Sequence, residues 1–300
     1  MALSGHLLGA PARSVFPSRP PTLTLGLRHA RALPSEYPPQ PFGTGTVDDT
    51  TIDWDAFFTL HHDLPREGPG SDAMTETVAR SLPPLPSGAI LDLGCGPGRQ
   101  TLVLAQVLKH SVVAIDSHRP YLERLAMAAD AVGLSTLIET RQQSFFNLAD
   151  EPGGVALIWA EGSIYIPGFV DGLRLWRPLL VPGGIIVASD VTWLTPNPPE
   201  EARTFWEQEE GIRLLTIEEK SALAEAEGFE VLGTHMLPKE AWWDDYYKPL
   251  ADRSAGLRVG AGPALTRVLD ANDREIDMWQ RFGDSYGYVF HVLGKVHDGA

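Results

Sequence analysis

Two aspartates end two apolar runs, and three glycines stand between them. Asp92 lies in Ala89-Ile90-Leu91-Asp92-Leu93, Asp116 closes Val112-Val113-Ala114-Ile115-Asp116, and Gly94, Gly96 and Gly98 alternate with Cys95 and Pro97 after the first run. Glycine lets a backbone approach a ligand that any β-carbon would hold off. A carboxylate at the end of the neighbouring run can accept from both hydroxyls of a ribose. The spacing argues against two common occupants. A dinucleotide fingerprint needs the order G-x-G-x-x-G, and Arg99 holds its third glycine position. No lysine and hydroxyl pair follows the glycines, which excludes a phosphate-cradling loop.

Residues of this kind need a scaffold of strands and helices to meet. Ala89–Leu93 reads as a strand, and Leu102, Val103, Leu104, Ala105, Val107 and Leu108 resume in a helical rhythm after the turn. Further strands are expected at 111–115, 137–140, 155–159, 185–188, 229–233 and 287–296. Helices are expected at 52–62, 72–82, 120–131, 168–179, 199–209, 216–226 and 263–282. Ser71 is placed to cap the second of these, and Asp72 suits its dipole. Leu122, Leu125, Ala126 and Ala129 form the buried stripe of the helix over 120–131. Strands alternating with helices make an α/β fold, and crossovers of this length make the first five strands parallel.

The glycine turn with its two aspartates resembles the S-adenosyl-L-methionine site of the class I methyltransferases. The likeness runs from about Phe57 to Val296. Arg66-Glu67-Gly68-Pro69-Gly70-Ser71, Trp159-Ala160-Glu161-Gly162-Ser163-Ile164-Tyr165 and Tyr286-Gly287-Tyr288-Val289-Phe290 resemble a bacterial subfamily of small-molecule methyltransferases. The resemblance implies a three-layer Rossmann-like fold with a seven-stranded, mostly parallel sheet in the order 3-2-1-4-5-7-6. It implies S-adenosyl-L-methionine as cofactor, with Gly94, Cys95, Gly96 and Gly98 passing against it and Asp116 and Ser117 at its ribose. Asp92 either orients the glycine turn or accepts from the cofactor's ammonium through water. Arg66 is placed to meet the cofactor carboxylate or an acidic acceptor. The family's acidic residue after strand three is missing, and Phe146 stands in its place. Ser144, Phe145 and Phe146 are the expected adenine contacts, with Gln143 or Asn147 at the amine; either phenylalanine reads equally as core.

Methyl transfer from a sulfonium needs little covalent help, and a base only where the acceptor arrives protonated. Position is therefore the better guide. Ligands of open α/β sheets sit beyond the carboxyl ends of the strands. Glu161 and Tyr165 follow strand four, and Asp190, Thr192 and Trp193 follow strand five; all five are expected at the mouth of the site. Glu161 is the first candidate for contact near the methyl group or for proton removal, the alternative being a carboxylate that holds the loop or the cofactor. Tyr165 orients an acceptor or simply packs. Trp242, Trp243, Tyr246 and Tyr247 form either a pocket wall with a cation–π box or the packing of an insertion, and Tyr247 completes the catalytic candidates.

Composition bounds the rest. The 300 residues carry a net charge of −15, from 24 basic and 39 acidic side chains, which disfavours nucleic acid as a partner. No apolar run is long enough to span a bilayer. One cysteine excludes an internal disulfide and any thiolate-rich metal site, and no metal is expected. A cytoplasmic monomer or homodimer acting on a small acceptor is the expectation. Residues 1–50 are proline-rich, with Arg13, Arg19, Arg28 and Arg31 and no acid before Glu36. Three readings stand open there: a loosely ordered extension, an organelle-targeting segment, or a start codon placed too early. Residues 51–300 are expected to form the methyltransferase domain, with a helical lid over 51–85 and an insertion over 235–284. The rival functions are an NAD-dependent oxidoreductase and a catalytically silent cofactor-binding protein.

Overall fold

A computed structural model of the chain describes residues 53–148 and 154–296. The proline-rich segment and its three readings lie outside the described residues. Helix α1 (Trp54–His61) starts at Asp53, whose carboxylate accepts from the Ala56 amide at 3.0 Å, and α2 (Asp72–Ser81) starts at Ser71, whose hydroxyl accepts from the Met74 amide at 3.1 Å. Both side chains fill orphan donors of a helix start. The core then alternates: β1 (Ala89–Leu93), α3 (Arg99–Leu108), β2 (Val112–Asp116), α4 (Arg119–Ala131), β3 (Ile138–Gln142), β4 (Val155–Glu161), α5 (Phe169–Trp176) and β5 (Leu180–Trp193). Next come α6 (Glu200–Thr204), α7 (Ile217–Ala226) and β6 (Phe229–Met236), and the insertion α8 (Lys239–Trp242), α9 (Lys248–Leu257) and α10 (Pro263–Phe282) precedes β7 (Tyr286–Lys295).

The sheet has the order β3-β2-β1-β4-β5-β7-β6, with β7 antiparallel to both its neighbours. Strands β1 and β4 lie inside it, so both faces are covered and their side chains are almost wholly apolar. The strand order turns at β1, with β2 on one side and β4 on the other, which opens a crevice at their carboxyl ends. Register aligns that edge: Asp92 pairs with Ala114 and with Trp159, so Asp116 and Glu161 each project two residues beyond it. Gly98 joins the glycine turn to α3 with φ of +83°, and a β-carbon there would lie 2.3 Å from Leu125 Cδ1, so α4 packs directly on the turn.

Several expected boundaries shift. Pro97 sits in the turn and α3 begins at Arg99. In α4 it is Tyr121, not Ala126, that joins Leu122, Leu125 and Ala129 in the buried stripe. The larger change is β5, which runs to Trp193. Antiparallel β7 arrives beside it and pairs Asp190 with Val289, Thr192 with Gly287 and Trp193 with Tyr286. Residues expected in a loop at the mouth are thereby held in a strand. The insertion also holds more helix than periodicity shows: α8 passes through a π-helical turn, Trp243–Tyr247, into α9.

Candidate active site

Beyond the ends of β1, β2 and β4 lies a cavity of about 430 Å³. That size is typical of a small-molecule site. The glycine turn forms its floor. The Gly94 and Cys95 amides both donate to the Ile115 carbonyl, at 2.8 and 3.1 Å, which ties the turn to β2. Gly94 has φ of +71°, and a β-carbon there would meet Ser163 Cβ at 2.7 Å. Asp116 bridges two loops: one oxygen accepts from the Gly96 amide at 2.9 Å and the other from the His118 amide at 2.8 Å. Each oxygen keeps a lone pair for a hydroxyl that enters the cavity. Burial pushes the Asp116 carboxyl up, and the amide bonds oppose that rise.

Arg66, Gly94, Cys95, Gly96, Asp116, Ser117, Ser144, Phe145, Phe146, Glu161 and Tyr165 all line this cavity. Gly98 and Asp92 do not. Asp92 lies fully buried beneath the turn, accepting from Thr101 Oγ1 at 2.5 Å and from Gln100 Nε2 at 3.4 Å, while Gln100 also donates to the Cys95 carbonyl at 2.9 Å. Burial raises its carboxyl to about 7, and the Thr101 bond opposes this. Of its two readings, this geometry is that of a support for the turn. Burial likewise pushes the Cys95 thiol well above its usual range, so it is no nucleophile.

Glu161 is the most heavily bonded group at the site. Its Oε1 accepts from Arg66 Nη1 at 2.8 Å; its Oε2 accepts from Thr75 Oγ1 at 2.9 Å and from Trp159 Nε1 at 3.0 Å. Arg66 turns its other nitrogen to Asp72 Oδ1 at 2.7 Å, and Asp72 also holds Arg99. The arginine that breaks the dinucleotide fingerprint thus belongs to an ionic chain that anchors α2 beside the site. Burial raises the Glu161 carboxyl, and Arg66 is the chief opposing influence.

Three catalytic candidates stand apart from the cavity, and each has a physical reason. Asp190 is held at 2.5 Å by buried Lys220 of α7 and does not line the cavity; the same ammonium donates to the Val191 carbonyl and to Thr192 Oγ1. Trp193 is buried edge-on against Tyr286, with ring centres 5.9 Å apart. Tyr247 is fully buried and donates to Glu275 at 2.8 Å. Its neighbour Trp242 packs on Tyr247, Trp279, Tyr286 and Tyr288, so these aromatics fasten the insertion to the sheet. Elsewhere in the N-terminal segment, His61 is buried and stacked on Phe57, and His62 is exposed beside Asp63.

The structure adds wall residues that sequence alone did not single out. Trp54, Phe57 and Phe58 of α1 cover the cavity, and Phe58 stacks on His118 with ring centres 4.0 Å apart and planes 11° from parallel. Glu67, Tyr121 and Gln142 also line it. The helical pattern of aromatics within the expected lid did not single these residues out, because the same pattern describes core packing. At the far end Phe145 and Phe146 lie with ring centres 5.1 Å apart, flanked by Ser117, Gln142, Gln143 and Ser144, an apolar slot with polar rims. Asn147 is not on the wall; its carbonyl accepts from Gln143 Nε2 at 2.7 Å.

A glycine floor, a carboxylate pair of lone pairs at a strand end and an aromatic slot define a Rossmann-like protein built to hold an adenosyl group. The three features fit S-adenosyl-L-methionine. Residues 90–184 match the family model described as a methyltransferase domain. Over that segment the chain is similar to the class I S-adenosylmethionine-dependent methyltransferase superfamily. A trans-aconitate 2-methyltransferase of Sinorhizobium fredii strain NBRC 101917 / NGR234 is 28% identical over 258 residues, 81% of this chain and 93% of that protein. Among solved structures, an S-adenosyl-L-homocysteine complex of a SAM-dependent methyltransferase from Geobacter sulfurreducens has a TM-score of 0.65 at 18% identity, over 80% of this chain and 97% of that one. The [4+2]-cyclase SpnF has a TM-score of 0.64 at 19% identity, over 81% and 93%. At these identities the likeness to the two structures is one of fold. The protein is a methyltransferase that uses S-adenosyl-L-methionine on a small molecule.

Proposed function

We propose that the methyl acceptor is a small, uncharged, largely apolar molecule held under α1. One observation carries this: among the described residues that line the cavity, the only lysine or arginine is Arg66, and its guanidinium is already shared by Glu161 and Asp72. A polycarboxylate would need unpaired cations to offset its desolvation. The wall instead offers Trp54, Phe57, Phe58, Tyr165 and Ile166. The acceptor named for the Sinorhizobium relative is therefore not carried over to this chain.

The cofactor supplies an electrophilic methyl group on a sulfonium. Asp116 and Ser117 would hold its ribose, and Phe145, Phe146 and Ser144 its adenine, while Glu161 and Asp72 keep Arg66 fixed in the wall. The covering aromatics exclude water that would compete for the methyl group. Burial, with Glu275 and Asp190 nearby, keeps the Tyr165 hydroxyl protonated well above its usual range. Tyr165 thus acts as a hydrogen-bond donor that orients the acceptor. In this reading the protein works as a cytoplasmic enzyme; among the described residues no helix is long and apolar enough to cross a membrane.

Transfer of a labelled methyl group from the cofactor to panels of neutral aromatics, amines and tricarboxylates is the test. Turnover of a neutral aromatic at least a hundredfold above any tricarboxylate is expected. Preferred turnover of trans-aconitate would overturn the acceptor class. Product formation without label transfer would favour a cyclase-like use of the fold, as in SpnF.

A further inference from the structure

Glu67 occupies an unusual place in this cavity. It sits in the turn between α1 and α2, directly after Arg66. That turn is drawn tight against the site: a β-carbon on Gly70 would lie 2.4 Å from Glu161 Oε1 and 2.9 Å from Arg66 Nη1. Glu67 is thereby laid over the glycine floor, its Cγ facing the Gly96 α-carbon, where a built β-carbon would meet it at 3.5 Å. Both carboxyl oxygens are shielded from solvent and have no hydrogen-bond partner. The Tyr121 hydroxyl of α4 lies beside the carboxyl and lowers it as a donor would, yet the two do not complete a hydrogen bond of ordinary geometry. Folded proteins rarely leave buried polar groups unsatisfied, and those at a ligand cavity point to a group that completes them. The other charged neighbours do not fill this role. Asp116 of β2 has the same sign, Arg124 of α4 donates to the Leu64 carbonyl at 2.8 Å, and Tyr165 and Tyr246 are phenols held protonated.

We propose that Glu67 is the counter-ion of the cofactor's sulfonium and the residue by which the site distinguishes the charged methyl donor from its neutral thioether product. This rests on the cofactor assignment and adds a specificity-determining residue to it. Burial raises the Glu67 carboxyl to about 8, with Tyr121 and Arg124 opposing and Asp116 assisting. Near neutral pH the carboxyl is mostly protonated until a positive charge arrives beside it. Glu67 then releases one proton to solvent as the donor binds. Methyl transfer breaks the sulfur–methyl bond, returns its electron pair to sulfur and abolishes the positive charge. Glu67 then regains a proton, drawn from the acceptor where the acceptor loses one and from solvent otherwise. A neutral Glu67 no longer holds the thioether, which favours its departure.

Isothermal titration calorimetry of S-adenosyl-L-methionine and S-adenosyl-L-homocysteine, in buffers of different ionisation enthalpy, reads the proton count directly. The intact chain is expected to release more protons with the sulfonium than with the thioether, the excess approaching one at pH 7. In Glu67→Gln that excess should vanish, and the sulfonium-to-thioether affinity ratio should fall about tenfold. Glutamine matches the shape of the neutral acid, and a melting curve checks its fold. A second measurement needs no variant: in the native chain the affinity ratio should rise roughly twentyfold to fiftyfold from pH 6 to 8, because a binding step that releases close to one proton strengthens nearly tenfold per pH unit below the carboxyl's own range. Equal proton release for both ligands, or an unchanged ratio in Glu67→Gln, would overturn the inference while leaving the cofactor assignment standing. No binding of either ligand would sink the cofactor assignment and this inference with it.

Discussion

Replacing Glu161 by glutamine separates two roles for the best-connected carboxylate of the site. Its oxygens accept from three donors: Arg66 Nη1 at 2.8 Å, Thr75 Oγ1 at 2.9 Å and Trp159 Nε1 at 3.0 Å. An amide presents one acceptor atom and one donor group. With its oxygen toward Arg66, the NH2 faces Thr75 and Trp159. Thr75 can adjust, because its hydroxyl also lies 3.0 Å from the Ser71 carbonyl. Trp159 cannot, and its buried N–H is orphaned. With the amide reversed, two donors meet at Arg66. An orphaned buried donor costs about 1–3 kcal/mol, and a buried arginine that loses one of its two carboxylates adds to this. A loss of roughly 2–4 kcal/mol follows, equivalent to about 5–15 °C in melting temperature for a domain of this size. Calorimetric melting and steady-state kinetics on the same preparation are the assay. A fallen melting temperature, weaker cofactor binding and a largely retained kcat at saturating cofactor are expected. A melting temperature within a degree of the native protein, with kcat down by a factor of roughly a hundred or more, is the signature of a lost proton acceptor. That outcome would refute the positioning role.

Other perturbations reach the remaining parts. In Asp116→Asn only one of the Gly96 and His118 amides keeps its acceptor, and the ribose meets an uncharged partner; cofactor Kd by calorimetry should rise about tenfold to a hundredfold. Tyr247→Phe removes the donor 2.8 Å from buried Glu275; denaturant titration should show a loss of about 1–3 kcal/mol with kcat unchanged, and a collapse of kcat would restore Tyr247 to the catalytic set. Stability of the cofactor-free protein should fall as pH rises from 6.5 to 8. Asp92 and Glu275 are raised to about 7 and Glu67 to about 8, so the folded state binds more protons there than the unfolded one. Buried His61, lowered to about 4, and His291, lowered to about 3, oppose this only below the ordinary histidine range. A decline of about 1–2 kcal/mol per pH unit by urea titration is expected, and a rise over that window would contradict the assignment of these carboxyls.

The glycine turn was legible because its signals are local. Positive φ at Gly94, Gly96 and Gly98, the apolar runs of β1 and β2 and the acid that ends β2 all follow from residue type within a few positions. The helix over Pro263–Phe282 was legible for the same reason, since a 20-residue amphipathic pattern needs no partner to be read. The helical run through Trp243–Tyr247 was not. Its aromatics, with Pro249 and Gly256 nearby, are weak helix formers, and packing around Trp242, Trp279 and Tyr288 decides its shape.

Sequence by itself determined the class of cofactor site, because backbone freedom and a strand-end carboxylate are properties of a short stretch of chain. Tertiary structure alone decided which acids do what. Asp190 belongs to Lys220, 30 residues away, because β7 holds this stretch of β5 as strand and α7 brings its lysine against it. Glu161 belongs to Arg66 and Thr75, 95 and 86 residues before it. Glu67 is left facing the cavity beside Tyr121, without a completed hydrogen bond. The partner that ionises, neutralises or satisfies a carboxyl is fixed by contacts in space, and no local pattern of residues encodes them.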